Sequence, residues 1–213
     1  MGRWEPNARG RLEGAALDLF LERGFERTTV GEIAGRAGLV ERTFYRHFAD
    51  KREVLFWGRE IFADRVRAAL AAAPAGLAPL DAMVVAIEAA AAALPSEPDH
   101  ARRRHLVIKS TPELHERELL KTASLGETAM EGLLRRGAAP ATARLCAEAG
   151  MTVFKAAYQR WLEGEGGRSC PQWVRQTFGE LKDLFTAADG ARPDARASVL
   201  APNSGGGAGG AEE

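Results

Sequence analysis

A short stretch in the first quarter of the chain carries side chains that could contact nucleic acid. Two arginines, a threonine and a tyrosine lie within five positions, at Arg42, Thr43, Tyr45 and Arg46. Arginine can make two parallel hydrogen bonds to guanine, and threonine can contact a base edge or a thymine methyl group. Tyrosine, histidine and lysine can bind phosphate oxygens, which positions a protein on DNA without reading its sequence. We expect DNA contacts from eight residues: Thr28, Thr29, Arg42, Thr43, Tyr45, Arg46, His47 and Lys51.

Two short helices joined by a tight turn would position these side chains. Thr29 and Glu32 have the spacing of a capping box, which predicts the start of the first helix. Gly38 can adopt the left-handed conformation that ends this helix. The second helix is predicted from about 40 to 48, with its polar side chains on one face. Two phenylalanines would face the core: Phe44 and Phe48. This arrangement is typical of a helix-turn-helix.

The same segment is basic although the whole chain is neutral. The chain has 29 Lys and Arg residues and 29 Asp and Glu residues, for a net charge of zero. A neutral protein that binds DNA must concentrate its positive charge locally. Residues 27–52 contain six basic and three acidic residues, which gives a local charge of +3. The basic residues are Arg27, Arg36, Arg42, Arg46, Lys51 and Arg52, and the acidic ones are Glu32, Glu41 and Asp50.

Taken together, these residues resemble the DNA-binding domain of the TetR family of one-component bacterial regulators. The chain departs from the family pattern at Val40, where the family usually has serine or threonine. Valine cannot cap a helix with its side chain, which costs on the order of 1 kcal/mol. The matching residues are Gly24-Phe25, Thr28-Thr29-Val30, Ile33-Ala34, Ala37-Gly38-Leu39, Thr43-Phe44-Tyr45, Phe48 and Lys51.

The resemblance implies an all-α regulator, a repressor that binds a palindromic DNA operator as a homodimer and is released by a small, hydrophobic effector. We expect a helix-turn-helix domain at 1–50, a helical effector-binding and dimerisation domain at 51–188, and a disordered tail at 189–213, which is too poor in apolar residues to fold. Residues 102–114, RRRHLVIKSTPEL, further resemble an actinobacterial subgroup that includes regulators of the mycofactocin type. An activator of the same fold and a helical small-molecule binding protein without DNA function are the alternatives.

Apolar periodicity predicts helices along the rest of the chain. A first helix is expected at about 8–23, preceded by a short basic arm that includes Arg3 and Arg9. A long fourth helix is expected at about 50–73, with Asp50 as its cap. Later helices are expected at about 80–94, 100–110, 113–136, 141–163 and 171–187.

The helix at 141–163 has apolar residues around most of its circumference and must therefore bury two faces. We expect it to pair, together with helix 171–187, with the same helices of a second copy in a four-helix bundle. Helix-turn-helix proteins commonly bind two-fold symmetric sites as dimers, which favours this arrangement. The alternative is that the second apolar face packs inside one subunit.

The helices after residue 50 are also expected to enclose the effector. Ligand pockets between helices are mostly apolar and carry a few polar groups. Arg104, His105 and Lys155 could neutralise an anionic group, although a solvated helix face explains them more simply. The predicted wall residues, each of which could also be ordinary core, are Phe62, Met83, Ile87, Met130, Met151, Phe154 and Tyr158.

The sequence gives no support for an enzyme or a membrane protein. It lacks a glycine-rich phosphate loop, an HExxH motif and a GxSxG motif, so we expect no catalytic residues, no metal and no cofactor. The two cysteines, Cys146 and Cys170, have no metal-binding spacing and suit a reduced, cytoplasmic protein. The apolar run from Ala82 to Leu94 is too short to span a bilayer. We also expect no signal peptide, because no positively charged segment followed by an apolar run opens the sequence.

Overall fold

A computed structural model describes residues 7–94 and 98–190. Within these ranges the chain forms nine α-helices and no β-strand, which confirms the all-α prediction. Two short 3-10 turns accompany them, at Glu53–Leu55 and Glu165–Gly167. The helices are α1 (Ala8–Arg23), α2 (Val30–Arg36), α3 (Glu41–His47), α4 (Trp57–Ala72), α5 (Pro79–Ala91), α6 (Asp99–Ser110), α7 (Pro112–Arg135), α8 (Pro140–Glu163) and α9 (Cys170–Gly190).

The first three helices pack around one apolar cluster, here called the N-terminal core. Leu12 of α1, Ile33 of α2 and Phe44 of α3 are fully buried in it. The cluster also includes Val107 and Ile108 of α6 and Leu114 of α7, which come from the second half of the chain. The helix-turn-helix is therefore mounted on α6 and the start of α7 by apolar packing, which fixes its orientation.

The remaining helices form a second cluster, here called the C-terminal core. It contains residues of α4, α5, α7, α8 and α9, with Met83, Ile87 and Trp161 almost fully buried. Gly150 lets α8 approach α5 closely, because a side-chain carbon added there would overlap the Met83 side chain. The sequence predicts that α8 buries two faces. Helices α5, α7 and α9 of the same chain cover most of its apolar residues.

Two boundary predictions need correction. The long fourth helix does not begin at Asp50: the 3-10 turn at Glu53–Leu55 comes first, and α4 begins at Trp57. Asp50 instead precedes that turn, and its Oδ1 accepts hydrogen bonds from the amides of Arg52 (2.8 Å) and Glu53 (3.1 Å). Arg9 belongs to α1 instead of a preceding arm, and its guanidinium lies 6.0 Å from the Phe48 ring centre and 5.8 Å from that of Trp57.

The remainder of the predicted arm, with Arg3, lies outside the described residues, and so does the predicted tail from residue 191 onward. Among the helices that are described, none is both long and apolar enough to cross a membrane.

Candidate nucleic-acid interface

Short-range interactions fix both ends of α2: a capping box at its start and a left-handed glycine at the turn into α3. The Thr29 amide donates to Glu32 Oε2 at 2.8 Å, and the Glu32 amide donates to Thr29 Oγ1 at 3.3 Å, which completes the capping box. These bonds from Thr29, first through its amide and then through its hydroxyl, lower the pKa of the Glu32 carboxyl. Gly38 has φ 67°, the left-handed conformation expected of it. The Leu39 amide then donates to Ala34 O at 2.8 Å, and the chain turns sharply into α3.

One face of α3 is anchored and the other is open to solvent. Phe44 and Phe48 are buried in the N-terminal core, with ring centres 5.3 Å apart, as predicted. The polar side chains face outward, and Tyr45 is 54% exposed. Five residues line one shallow surface depression on this helix: Val40, Arg42, Thr43, Tyr45 and Arg46. The structure thus brings four of the eight predicted contact residues onto a single accessible surface, here called the α3 face.

Val40 starts α3 without a side-chain cap, as the sequence indicates. Its carbonyl accepts a hydrogen bond from the Thr43 amide at 2.8 Å. Its side chain has no acceptor atom for the free amides of the first turn. The valine is 68% exposed and belongs to the α3 face. Sequence reasoning treated this position as a lost cap and missed that it is a surface residue of the site.

The basic residues of the segment divide into paired and unpaired groups. Arg36 makes two 2.9 Å hydrogen bonds to Glu22, and Arg52 pairs with Asp50 at 2.9 Å. Within the part of the chain that the structure describes, Arg42 and Arg46 form no ion pair. The positive charge available to an anionic partner is therefore concentrated on α3. An unpaired, solvated arginine can meet phosphate or guanine without first breaking an ion pair.

Two predicted contact residues make hydrogen bonds within the protein. Thr28 is 1% exposed, and its hydroxyl donates to Gly24 O at 2.9 Å. Lys51 Nζ donates to Phe25 O at 2.7 Å and to Thr28 O at 3.0 Å, and it lies 4.0 Å from the Phe25 ring centre. Both side chains close the loop between α1 and α2. The loop's carbonyls need donors, and these two residues supply them. The DNA contacts expected of Thr28 and Lys51 remain a prediction.

Thr29 and His47 lie at the margin of the α3 face. Thr29 is exposed, with its hydroxyl held by Glu32 at 3.0 Å. His47 is half-buried, and its Nε2 atom is buried with no hydrogen-bond partner in residues 7–94 and 98–190. Burial, and then the neighbouring charges of Arg46 and Arg9, lower the pKa of His47. A neutral imidazole brings no positive charge to phosphate, so the α3 face depends on its two arginines.

The seven predicted wall residues of the effector site gather in the C-terminal core. They lie on α4, α5, α7 and α8, and all of them belong to its apolar cluster or pack against it. The rings of Phe62 and Phe154 lie 4.6 Å apart, and those of Phe154 and Tyr158 lie 5.7 Å apart. The seven are Phe62, Met83, Ile87, Met130, Met151, Phe154 and Tyr158.

The three cations considered as partners for an anionic group have different environments. Lys155 is exposed and His105 is half-buried. The Arg104 side chain is only 14% exposed and pairs with Glu118 at 3.1 Å. A solvated helix face therefore does not describe Arg104. Sequence reasoning missed its partner Glu118, which Arg104 shares with Arg59, because helix packing alone brings these three positions together.

Two family models match the chain in order. The model described as "Bacterial regulatory proteins, tetR family" matches residues 14–56, which contain α2, the turn and α3. The model described as "MftR C-terminal domain" matches residues 77–186, just over half of the chain. The first covers the helix-turn-helix, and the second covers α5 to α8 and most of α9.

Curated relatives are similar over different parts of the chain. The HTH-type transcriptional regulator TcmR of Streptomyces glaucescens is 44% identical over 81 residues, which are 38% of this chain and only 36% of that relative. The putative mycofactocin biosynthesis transcriptional regulator MftR of Mycobacterium tuberculosis is 26% identical over 168 residues, which are 78% of this chain and 85% of the relative. The HTH-type transcriptional repressor KstR2 of M. tuberculosis is 45% identical over 47 residues, 22% of this chain and 24% of the relative.

Solved structures share the fold at low sequence identity. A regulator from Pseudomonas aeruginosa PAO1 superposes with a TM-score of 0.56 at 20% identity, covering 87% of this chain and 94% of that one. NalD, the secondary repressor of the MexAB-OprM efflux pump in P. aeruginosa, superposes with a TM-score of 0.55 at 18% identity, covering 83% and 94%. The ordered pair of family matches and the helix-turn-helix geometry lead to one conclusion: this chain belongs to the TetR family of bacterial transcriptional regulators, with a C-terminal domain of the MftR type.

Proposed function

We propose that this regulator is a repressor that binds a palindromic operator as a homodimer, with α3 in the major groove, and leaves DNA when a small apolar effector binds. The observation that carries the proposal is the α3 face. It presents Arg42 and Arg46 without ion-pair partners in the described chain, beside an exposed Tyr45. Arginine supplies both base readout and phosphate attraction. KstR2 and NalD, which are named repressors, support the choice of repression.

The dimer is proposed to form through α8 and α9. The loop between them is short, so the two helices run antiparallel. Leu145 near the start of α8 is 71% exposed and Leu184 near the end of α9 is 70% exposed. Exposed leucines on adjacent helices favour self-association, because pairing removes them from water.

The effector is proposed to enter the C-terminal core among the aromatic rings of Phe62, Phe154 and Tyr158. Helix α4 would couple effector binding in the C-terminal core to the position of the helix-turn-helix. Its first residue, Trp57, donates from Nε1 to Glu13 of α1 at 2.9 Å, and Phe62 packs in the C-terminal core. Two α3 helices must lie about 34–36 Å apart to enter successive major grooves. An effector that binds the wrongly spaced state more tightly would shift the population away from DNA.

A gel-shift assay on the DNA upstream of the chain's own gene tests operator binding, with a scrambled duplex as the specificity control. The proposal expects a discrete complex on the upstream DNA only. Sedimentation tests the dimer. The double variant Leu145→Glu/Leu184→Glu should sediment as a monomer and lose the complex. Leu120→Glu, which changes a 59% exposed leucine on α7, should do neither. A wild-type monomer that binds operator fully would contradict the dimer.

A further inference from the structure

A group of charged side chains lies between the two cores. Arg59 of α4, Arg104 of α6 and Glu118 of α7 have side chains that are 22%, 14% and 21% exposed. Arg59 pairs with one oxygen of Glu118, and Arg104 pairs with the other at 3.1 Å. Arg59 also donates to Thr122 Oγ1 at 3.1 Å. We call Arg59, Arg104 and Glu118 the charged triad.

The charged triad has more positive than negative charge. Two guanidinium groups share one carboxylate. Burial acts to raise the pKa of Glu118, but Arg104 and Arg59 outweigh it and keep that pKa below its usual value, so Glu118 is ionised. The adjoining ion pairs do not remove the excess, because Arg117 and Lys121 are met by Glu53 and Glu60. Within the charged triad two cations therefore face one carboxylate in a partly desolvated place, where one uncompensated charge is costly.

The charged triad also has an unused donor. Arg59 Nε is buried and has no hydrogen-bond partner among the residues that the structure describes. A buried N–H without an acceptor costs about 1–3 kcal/mol, so native proteins rarely leave one without a reason. A second such donor is Trp161 Nε1, whose ring lies 5.4 Å from that of Tyr158. Arg59 Nε is a donor, so its missing partner is an acceptor.

The charged triad adjoins the apolar part of the proposed effector site. Arg59 lies one helical turn before Phe62 on α4. Tyr158, in the same aromatic row as Phe62 and Phe154, is close enough for the charges of Arg104 and Arg59 to act on its hydroxyl. A positive group therefore lies beside this row of aromatic rings.

We propose that the charged triad binds the carboxylate of an apolar monocarboxylic acid, whose hydrocarbon part lies along Phe62, Phe154 and Tyr158. One added negative charge would neutralise the group, and a carboxylate oxygen would satisfy Arg59 Nε. Guanidinium and carboxylate have matching planar geometry, which makes their hydrogen bonds strong and directional. A neutral ligand would leave the excess charge, whereas a phosphate dianion would reverse it. This inference rests on the proposed effector site and specifies its ligand class.

The position of Arg104 explains how binding of such a ligand would affect the DNA-binding half. Arg104 Nε donates to Leu55 O at 2.6 Å, and its guanidinium lies 5.2 Å from the Phe56 ring centre. Both Leu55 and Phe56 are buried in the N-terminal core. A carboxylate that redirects Arg104 would change a contact that holds the helix-turn-helix.

Calorimetry on the full chain without DNA tests the assignment. The probes are 2-naphthoate, 4-phenylbutyrate and dodecanoate, each with its primary amide as a neutral isostere, and dodecyl phosphate as the alternative anion. At least one acid should bind wild type more tightly than its amide. Arg59→Gln should lower the affinity for that acid roughly tenfold to a hundredfold, as expected for a lost hydrogen bond to a charged group. The affinity for the amide should not change.

Three further variants separate charge, geometry and folding. Arg59→Lys keeps the charge but removes Nε, and should give an intermediate loss. Glu118→Gln removes the competing carboxylate and should tighten binding of the acid. Arg67→Gln, on the same helix but 48% exposed and paired only with nearby Asp64, should match wild type. Circular dichroism of each variant checks its fold.

The inference would be overturned if no acid binds more tightly than its amide, or if the acid's advantage survives Arg59→Gln in a folded protein. Tighter binding of dodecyl phosphate than of dodecanoate would also overturn it. Because these measurements use no DNA, they are independent of the gel-shift assay. If the neutral amides bind and release operator DNA while the acids have no advantage, the proposed function stands and the carboxylate site does not.

Discussion

The two halves of this regulator use arginine in opposite ways. On α3, Arg42 and Arg46 are exposed and have no ion-pair partner in the described chain. Between the cores, Arg59 and Arg104 are mostly buried and share Glu118. Solvated, unpaired arginines suit a large polyanion that approaches from outside, whereas partly desolvated ones suit a fixed internal partner or one small anion. Position and pairing, more than residue type, separate the two roles.

The largest effect is expected from the anchor of α3. Phe44→Ala removes a fully buried ring from the N-terminal core and should cost about 3–5 kcal/mol of unfolding free energy. Urea denaturation followed by circular dichroism measures it. The neighbouring Tyr45→Ala, on the exposed side of the same helix, is the matched control and should change stability by less than about 0.5 kcal/mol. Similar losses for both variants would mean that the two faces of α3 are misassigned.

The next effect tests the buried arginines. Arg104→Ala removes the donor to Leu55 O and one partner of Glu118, and should destabilise the protein by about 1–3 kcal/mol. The same denaturation experiment measures this loss. Arg67→Ala, which removes an exposed arginine, should be close to neutral. If Arg104→Ala were as stable as Arg67→Ala, the contrast between the two arginine environments would fail.

For the exposed arginines the effect should appear in DNA binding and not in stability. Arg42→Ala should weaken operator binding by about 1–3 kcal/mol if the arginine contacts a base, and lower the salt dependence if it contacts phosphate. Fluorescence anisotropy at several salt concentrations separates the two contacts, and thermal melting checks the fold. Wild-type affinity at every salt concentration would remove Arg42 from the interface.

The smallest effect concerns the start of α3. Val40→Thr restores a hydroxyl that can cap the first turn and should add about 1 kcal/mol of stability. Val40→Ala, which changes size without adding a cap, is the control. Denaturant midpoints compare the two, and a threonine variant no more stable than the alanine variant would show that the missing cap has no cost here.

Local patterns in the sequence were sufficient for the helix-turn-helix. The capping box of Thr29 and Glu32, the left-handed Gly38 and the inward Phe44 are all determined by neighbours a few residues away. They could not reveal that Thr28 and Lys51 turn inward, because the carbonyls they satisfy become available only when α1 and the loop after it are in place.

The C-terminal half was less accessible to the same reasoning. Its helices follow from apolar periodicity, but the α4 start does not, because the 3-10 turn before it carries the same apolar residues as a helix would. The charged triad joins positions 59, 104 and 118, which only tertiary packing brings together. Arg104 in isolation resembled a solvated arginine in a basic run.

The central claim is that the exposed side of α3 contacts operator DNA in a two-fold dimer. The most direct measurement is photo-crosslinking on the operator complex, with benzoylphenylalanine in place of Tyr45 and, as the control, of Arg67. The account predicts crosslinks from position 45 to two symmetric sites about one helical turn apart, and none from position 67. An operator complex that forms fully but gives no crosslink from position 45 would contradict it.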